Sequence, residues 1–265
     1  MPELSTASAA ARAAEVWERL ARVTDPELDE PVTELAFVSG VEVDQDGRVA
    51  IGFRLPTYWC AANFAFMMAD DMRREVAALP WVRGIQLTLG GHMYSDAVNR
   101  GMAEGLSFRD AFGEEASDDD LAEVRRTFTV KSFQRRQEAL LRHLLAAGHD
   151  AGALLSLTVA ELAALPPGGD ETAKLVARYL ERRDVPGPVT AGALAFVDEH
   201  GAAVAPEALP ARLRALRRVS INTEFNGALC RGLLAERYGD EPSCEKEPTL
   251  IDFIRRLPRD AATRA

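Results

Sequence analysis

Residues 48–89 constrain the fold more than any other part of the chain. Residues 48–55 alternate apolar and polar side chains, the period of a half-buried strand. Residues 61–79 carry Phe64, Met67, Met68, Met72 and Val76 at helical spacing and stop against Pro80. Residues 84–89 (GIQLTL) read as a further strand, closed by Gly90-Gly91. Such a strand–helix–strand run predicts a right-handed crossover with the two strands parallel. Upstream, residues 37–43 alternate in the same way and reach residue 48 through Asp44-Gln45-Asp46-Gly47, a hairpin signal. Residues 7–22 place Ala10, Ala13, Val16 and Leu20 on one helical face, with Ser5, Thr6 or Ser8 available as caps. The first 91 residues thus predict an α-β-β-α-β domain, two layers built on a three-stranded sheet.

This topology makes a statement about chemistry. A hairpin followed by a parallel crossover puts the start of the first strand and the ends of the second and third on one edge of the sheet. Asp25-Pro26-Glu27, Cys60 and His92 are expected to converge there, and ligands commonly bind at the carboxyl ends of strands. Cys60 falls where strand hands over to helix, and a helix N-terminus favours a thiolate, the form that attacks and ligates. His92, just past Gly90-Gly91, is a candidate co-ligand, although a histidine at a strand end is more often held by structural hydrogen bonds. Cys60 has its own alternative, that of a small buried hydrophobe.

Beyond residue 92 strand signals fade and helical ones accumulate, so the fold class is α+β: a small domain (1–91) followed by an all-helical region (92–265). Ser117-Asp118-Asp119-Asp120 is an N-terminal cap for one long helix, or two in series, ending near Gly148, and Thr158-Val159-Ala160-Glu161 is a capping box. Residues 170–182 and 206–237 give further amphipathic stretches, punctuated by Pro166-Pro167-Gly168-Gly169 and Val185-Pro186-Gly187-Pro188. Arg125, Arg126, Arg135 and Arg136 form a basic stretch that is either a solvated face or a docking surface for an acidic partner. The helical region is read as client-docking material that the small domain does not need in order to fold.

A formal charge of -10 argues against non-specific binding to nucleic acid or an anionic membrane. Three scattered cysteines, Cys60, Cys230 and Cys244, make no disulfide framework and fit a reducing compartment. The spacing of Cys230 and Cys244 is not that of a zinc or cluster motif. Cys230 reads as a core residue of a helix and Cys244 as an exposed loop residue. MPELSTASAA lacks the basic and apolar regions of a secretory leader, and no run approaches the roughly 18 apolar residues of a membrane span, so the expected location is the cytoplasm. No phosphate loop, dinucleotide fingerprint, nucleophile elbow or HExxH motif occurs in the sequence.

Five short motifs in order resemble the MIP18-type (DUF59) domain over roughly residues 10–91. They are Asp25-Pro26-Glu27, Glu34-Leu35-Ala36-Phe37-Val38, the Gly47 hairpin, Leu55-x-Thr57-x-x-Cys60, and Leu79-x-x-Val82-x-x-Ile85. The resemblance implies a factor for iron–sulfur cluster maturation whose characteristic positions fall on Asp25, Glu27 and Cys60, with Thr57 as the loop hydroxyl. The chain departs from the family where Trp59 and Ala61 replace the usual glycine and proline around the cysteine, and where Glu34-Leu35-Ala36 replaces Asp-Leu-Gly. The leading expectation is a non-catalytic maturation factor. It would hold iron or an iron–sulfur cluster transiently through Cys60, with His92 or Glu27 as co-ligand, and deliver it to a client metalloprotein. Family members associated with multicomponent oxygenases make an oxygenase component a candidate client. Two alternatives stay open: a metal-free, client-specific assembly chaperone, and a thiol enzyme using Cys60 as nucleophile with His92 in hydrogen-bond reach.

Overall fold

The computed structural model describes residues 3–113, 116, 118–166 and 168–239, with backbone only for 3–8 and 118–120. Its elements run α1 (Glu3–Leu20), β1 (Val38–Val43), β2 (Arg48–Arg54), α2 (Ala62–Ala77), β3 (Gly84–Gly90), α3 (Ser95–Glu104), α4 (Phe108–Phe112), α5 (Asp118–Ala146), α6 (Ala151–Ser156), α7 (Val159–Ala163), α8 (Asp170–Leu180), a 3-10 turn (Pro206–Ala208) and α9 (Leu209–Tyr238). This is the expected α+β order of a three-stranded sheet with flanking helices, then a helical region. Helix α1 begins upstream of Ser5, Thr6 and Ser8, which therefore lie inside it rather than capping it. Ser117, Pro167 and Cys244 lie outside the described residues.

The sheet order is β1-β2-β3, with β1 antiparallel and β3 parallel to the central β2. Pairs Val38↔Phe53, Phe53↔Leu89 and Arg54↔Gly90 fix the register, so the start of β1 and the ends of β2 and β3 share one edge. Val49, Ile51 and Phe53 point alternately into the core. Gly47 closes the hairpin at φ +81, and a Cβ there would lie 2.5 Å from the Trp81 carbonyl oxygen, so glycine is needed for both conformation and space. Ala36 is the opposite case. It holds φ +56 at the position where the family pattern has glycine, a left-handed conformation that costs an L-residue roughly 1–2 kcal/mol.

The chain divides into two compact units, and the division is not at residue 91. Unit 1 comprises residues 1–122 and 225–265; unit 2 comprises residues 123–224. The reason is burial. Val98 and Met102 of α3, Ala111 of α4 and Leu234 of α9 all sit in the same core as Val49, Phe53, Met68 and Leu89. Gly101 on α3 lies so close to α2 that a Cβ would come within 2.9 Å of the Phe66 ring. The small domain therefore uses part of the helical region to cover its core, contrary to the expectation that it folds without it.

Unit 2 has its own core, from Phe133, Leu140, Leu141 and Leu144 of α5 to Leu162, Tyr179 and Phe196. Tyr179 stacks between Phe133 and Phe196, and its hydroxyl donates to the Ala195 carbonyl at 2.6 Å. Thr158 and Glu161 form the expected capping box on α7.

Two stability changes follow. Leu234→Ala is expected to cost unit 1 about 2–5 kcal/mol through lost burial and the cavity left behind, read as a drop in the urea midpoint. Ala36→Gly should raise stability by up to roughly 1 kcal/mol, the relief of left-handed strain less the entropy of glycine; an unchanged or lowered midpoint would refute it.

Candidate functional site

The site is assembled from three loops on the shared sheet edge. The loop before β1 is built around Asp25, whose Oδ1 accepts hydrogen bonds from the backbone N–H of Glu27 (2.9 Å) and Leu28 (2.8 Å). Asp25 is 7% exposed, and burial, opposed by these two hydrogen bonds, raises its carboxyl to about 6. Its role is to shape the loop. Glu27 is half-buried, and its Oε1 accepts from the Asn226 amide of α9 at 2.9 Å.

The loop after β2 carries Thr57, the exposed Tyr58 and Trp59, and Cys60. Cys60 stands two residues before α2, whose N-cap is Ala61 with no side-chain cap. The thiol is free, half-buried against the edge of the core, and within 3.1 Å of the Thr57 hydroxyl.

The loop after β3 brings His92 to the same edge, but not as a free ligand. Nδ1 accepts from the Tyr94 backbone N–H at 3.2 Å, so Nε2 carries the proton and donates to the Cys60 carbonyl at 2.8 Å. The ring is 3% exposed and its pKa is lowered, chiefly by burial. His92 clamps the backbone of the cysteine loop, and both nitrogens of its ring are committed, one as donor and one as acceptor. The expectation that it ligates metal is corrected on this ground, as is a Cys60–His92 catalytic pair: the imidazole meets the carbonyl of Cys60, while Thr57 meets the sulfur. Gly91, at φ +60, makes the turn that places His92.

The C-terminal turns of α9, past residue 224, add residues that the sequence did not place at the site. Arg231 pairs with Glu30 at 2.7 Å, and Arg237 donates to the carbonyls of Leu55 (3.2 Å) and Gly91. The Arg54 guanidinium lies over the Tyr238 ring, 4.5 Å from its centroid. Cys230, half-buried beside the same core, has its thiol pushed up to about 12, first by burial and then by the nearby charges of Asp25, Cys60 and Glu27, with Arg231 opposing. The four-residue spacing of Asn226, Cys230 and Leu234 marks one face of a helix and was the available signal. Among the described residues, no three His, Cys, Asp or Glu side chains converge closely enough to hold an ion.

Of the four arginines expected to dock a partner, Arg136 is buried in unit 2, where it donates to the Arg178 carbonyl and pairs with Glu181 at 2.7 Å. It is a structural residue and is withdrawn from the docking set. Arg126 is exposed, and Arg125 and Arg135 are half-buried. No helix among the described residues is long and apolar enough to cross a membrane.

Asp25 gives the site a pH signature. Its folded pKa lies above the ordinary 3.8, so the folded state holds the proton longer than the unfolded chain does. The resulting stability is full below about pH 3.8 and is lost as pH rises through about 6, a swing on the order of 3 kcal/mol. Asp25→Asn keeps an oxygen for the two backbone donors and should abolish that part of the decline; urea midpoints of both proteins between pH 4 and 7 test it.

Residues 13–87 match the family model described as "Iron-sulfur cluster assembly protein". Over 90 residues the chain is 26% identical to "Uncharacterized protein MJ1129" of Methanocaldococcus jannaschii, a stretch that is 34% of this chain and 93% of that protein. The crystal structure of a domain of unknown function, DUF59, from Bacillus anthracis matches 32% of this chain and 78% of its own, at 22% identity and a TM-score of 0.30. The family match takes in the Asp25 loop and Cys60 and stops short of His92 and all of α9. Residues 13–87 are therefore a MIP18-type (DUF59) iron–sulfur cluster assembly domain.

Proposed function

We propose that the protein is a cytoplasmic, non-catalytic maturation factor that receives iron or a nascent iron–sulfur cluster at Cys60 and passes it to a client metalloprotein. The observation that carries this reading is the setting of Cys60 inside the matched domain. Its backbone carbonyl is held by His92, and the residue stays half-buried just past the end of β2, with a free thiol, in a domain whose loop before β1 carries the carboxylates of Asp25 and Glu27. A positioned thiol with few protein partners suits transfer, because the remaining coordination positions are left for the client. Glu27 is the acidic co-ligand in this reading, and Asp25 and Thr57 support the loops.

Client contact is assigned to the rim of the same site. Tyr58 (53% exposed), Trp59 (73%), Met93 (46%) and Tyr94 (40%) surround the cysteine loop, and Met93 N–H bonds the Tyr58 carbonyl at 2.9 Å. Exposed aromatic and methionine side chains are the currency of protein interfaces. Arg125, Arg126 and Arg135 remain candidates for an acidic partner, and an oxygenase component is the candidate client. The second reading, a metal-free assembly chaperone, draws on the same apolar rim together with the lack of three convergent ligands among the described residues.

The two readings part on Cys60→Ser. Anaerobic loading of the full-length protein with ferrous iron and sulfide, followed by transfer to an apo-ferredoxin acceptor, should proceed roughly tenfold or more slowly in the variant, at unchanged thermal stability. Equal transfer by wild type and variant would place the protein with the chaperones.

A further inference from the structure

We propose that residues 249–257, beyond the end of α9, seat their apolar side chains on the exposed rim of Tyr58, Trp59, Met93 and Tyr94, so that the chain's own C-terminal segment covers the surface around the cysteine loop. The inference goes beyond the maturation reading: it concerns what occupies the rim and is independent of what Cys60 carries.

The contacts at the end of α9 fix where the helix releases the chain. Arg237, in its last turn, donates to the Leu55 carbonyl at 3.2 Å and to the Gly91 carbonyl. The Tyr238 hydroxyl lies 3.3 Å from where a Cβ on Gly91 would stand. Gly239 follows at φ +67 and is exposed. Leu55 and Gly91 stand a few residues before Tyr58 and Met93, so the chain leaves α9 at the roots of both rim loops. The two loops form one surface. Met93 N–H bonds the Tyr58 carbonyl at 2.9 Å, and the Tyr94 ring lies 6.0 Å from the ring of His92, which holds the Cys60 carbonyl. A few residues of chain extend about 10 Å, whereas residues 240–248 can span up to about 30 Å, so the segment reaches the rim with slack.

The chemistry of the two partners matches. Residues 240–248 (DEPSCEKEP) hold no leucine, isoleucine, valine or aromatic residue and have the composition of a linker. Residues 249–257 (TLIDFIRRL) are the opposite. Leu250, Phe253, Ile254 and Leu257 recur at the i, i+3, i+4, i+7 spacing of an apolar stripe, with Asp252, Arg255 and Arg256 between them. Such a stripe calls for an apolar surface, and exposed aromatic and methionine side chains supply one at the point of release. A second copy of the chain fits less well, because at a formal charge of -10 two copies repel each other. A tethered segment instead meets its site at an effective concentration of about 1 mM, so even a free dissociation constant of about 0.1 mM leaves it seated roughly ten to one. Any client that uses this rim must then displace the segment.

Hydrogen–deuterium exchange of the full-length protein, resolved to peptides by mass spectrometry, tests the seating from both partners. In wild type, amides of residues 249–257 should exchange roughly tenfold more slowly than in an unstructured chain, to the same degree in dilute and concentrated protein. Trp59→Ala, at an exposed position, should return them to the unstructured rate. Ile254→Asp should do the same and should also speed exchange in the loops at 56–60 and 92–94. Exchange in α2 and in the core of unit 2 should not change in either variant, which separates lost seating from misfolding. Unstructured rates for 249–257 in wild type overturn the proposal. Slowed exchange that survives Trp59→Ala puts the segment on another surface and overturns it as well. Protection that grows with protein concentration gives the rim to a second copy, and the proposal fails. None of these outcomes bears on transfer by Cys60, which the Cys60→Ser comparison decides separately.

Discussion

Parallel pairing of β2 with β3 decides where everything else in unit 1 can go. Because α2 must cross back over the sheet before β3 begins, β2 and β3 end on the same edge, and the antiparallel β1 starts there. Three loops with no local relation in sequence are thereby forced together. The helix also needs an apolar face to make the crossing, which Met68, Met72 and Val76 supply. A thiol placed on such an edge is fixed by the sheet beneath it rather than by its loop, and His92 completes the fixing from the third loop through the Cys60 carbonyl.

The acidic side of the edge is stabilised in a different way. Asp25 is buried against its preference and is held by two backbone donors, while Glu27 and Glu30 lean on Asn226 and Arg231 of α9. The helix thus neutralises part of what the family domain exposes, and its Leu234 closes the core below. Arg237 adds two backbone carbonyls, a use of guanidinium that a lysine could satisfy less well because it lacks the planar fork.

Much of this was legible in the sequence where the signal was local. The Gly47 hairpin, the crossover ending at Pro80 and the Thr158–Glu161 capping box each follow from residues within a few positions of one another, and the meeting of the Cys60 and His92 loops on one sheet edge followed from topology alone. What stayed hidden depends on distant partners. His92 reads as a ligand until the Cys60 carbonyl and the Tyr94 N–H are seen to take both its nitrogens. Arg136 reads as surface until Glu181 and the Arg178 carbonyl claim it. Cys230 was read as a core residue from its helical run and lies half-buried against the unit 1 core, but Cys60, Glu27 and Asp25, whose charges it feels, lie about 170 to 205 residues away in sequence, and no period links them.

The interruption of unit 1 by unit 2 has a consequence for biosynthesis. The strands and α2 leave the ribosome first, yet Asn226, Arg231 and Leu234 follow only after roughly a hundred intervening residues. At about 5–20 residues per second that is a wait on the order of 5–20 s. During it the nascent sheet edge lacks the helix that later bonds Glu27 and the Leu55 and Gly91 carbonyls, and a core seam stays open where Leu234 will lie. The maturing chain thus passes through an interval in which its acidic loop and the ends of β2 and β3 are more accessible than they will be in the finished protein.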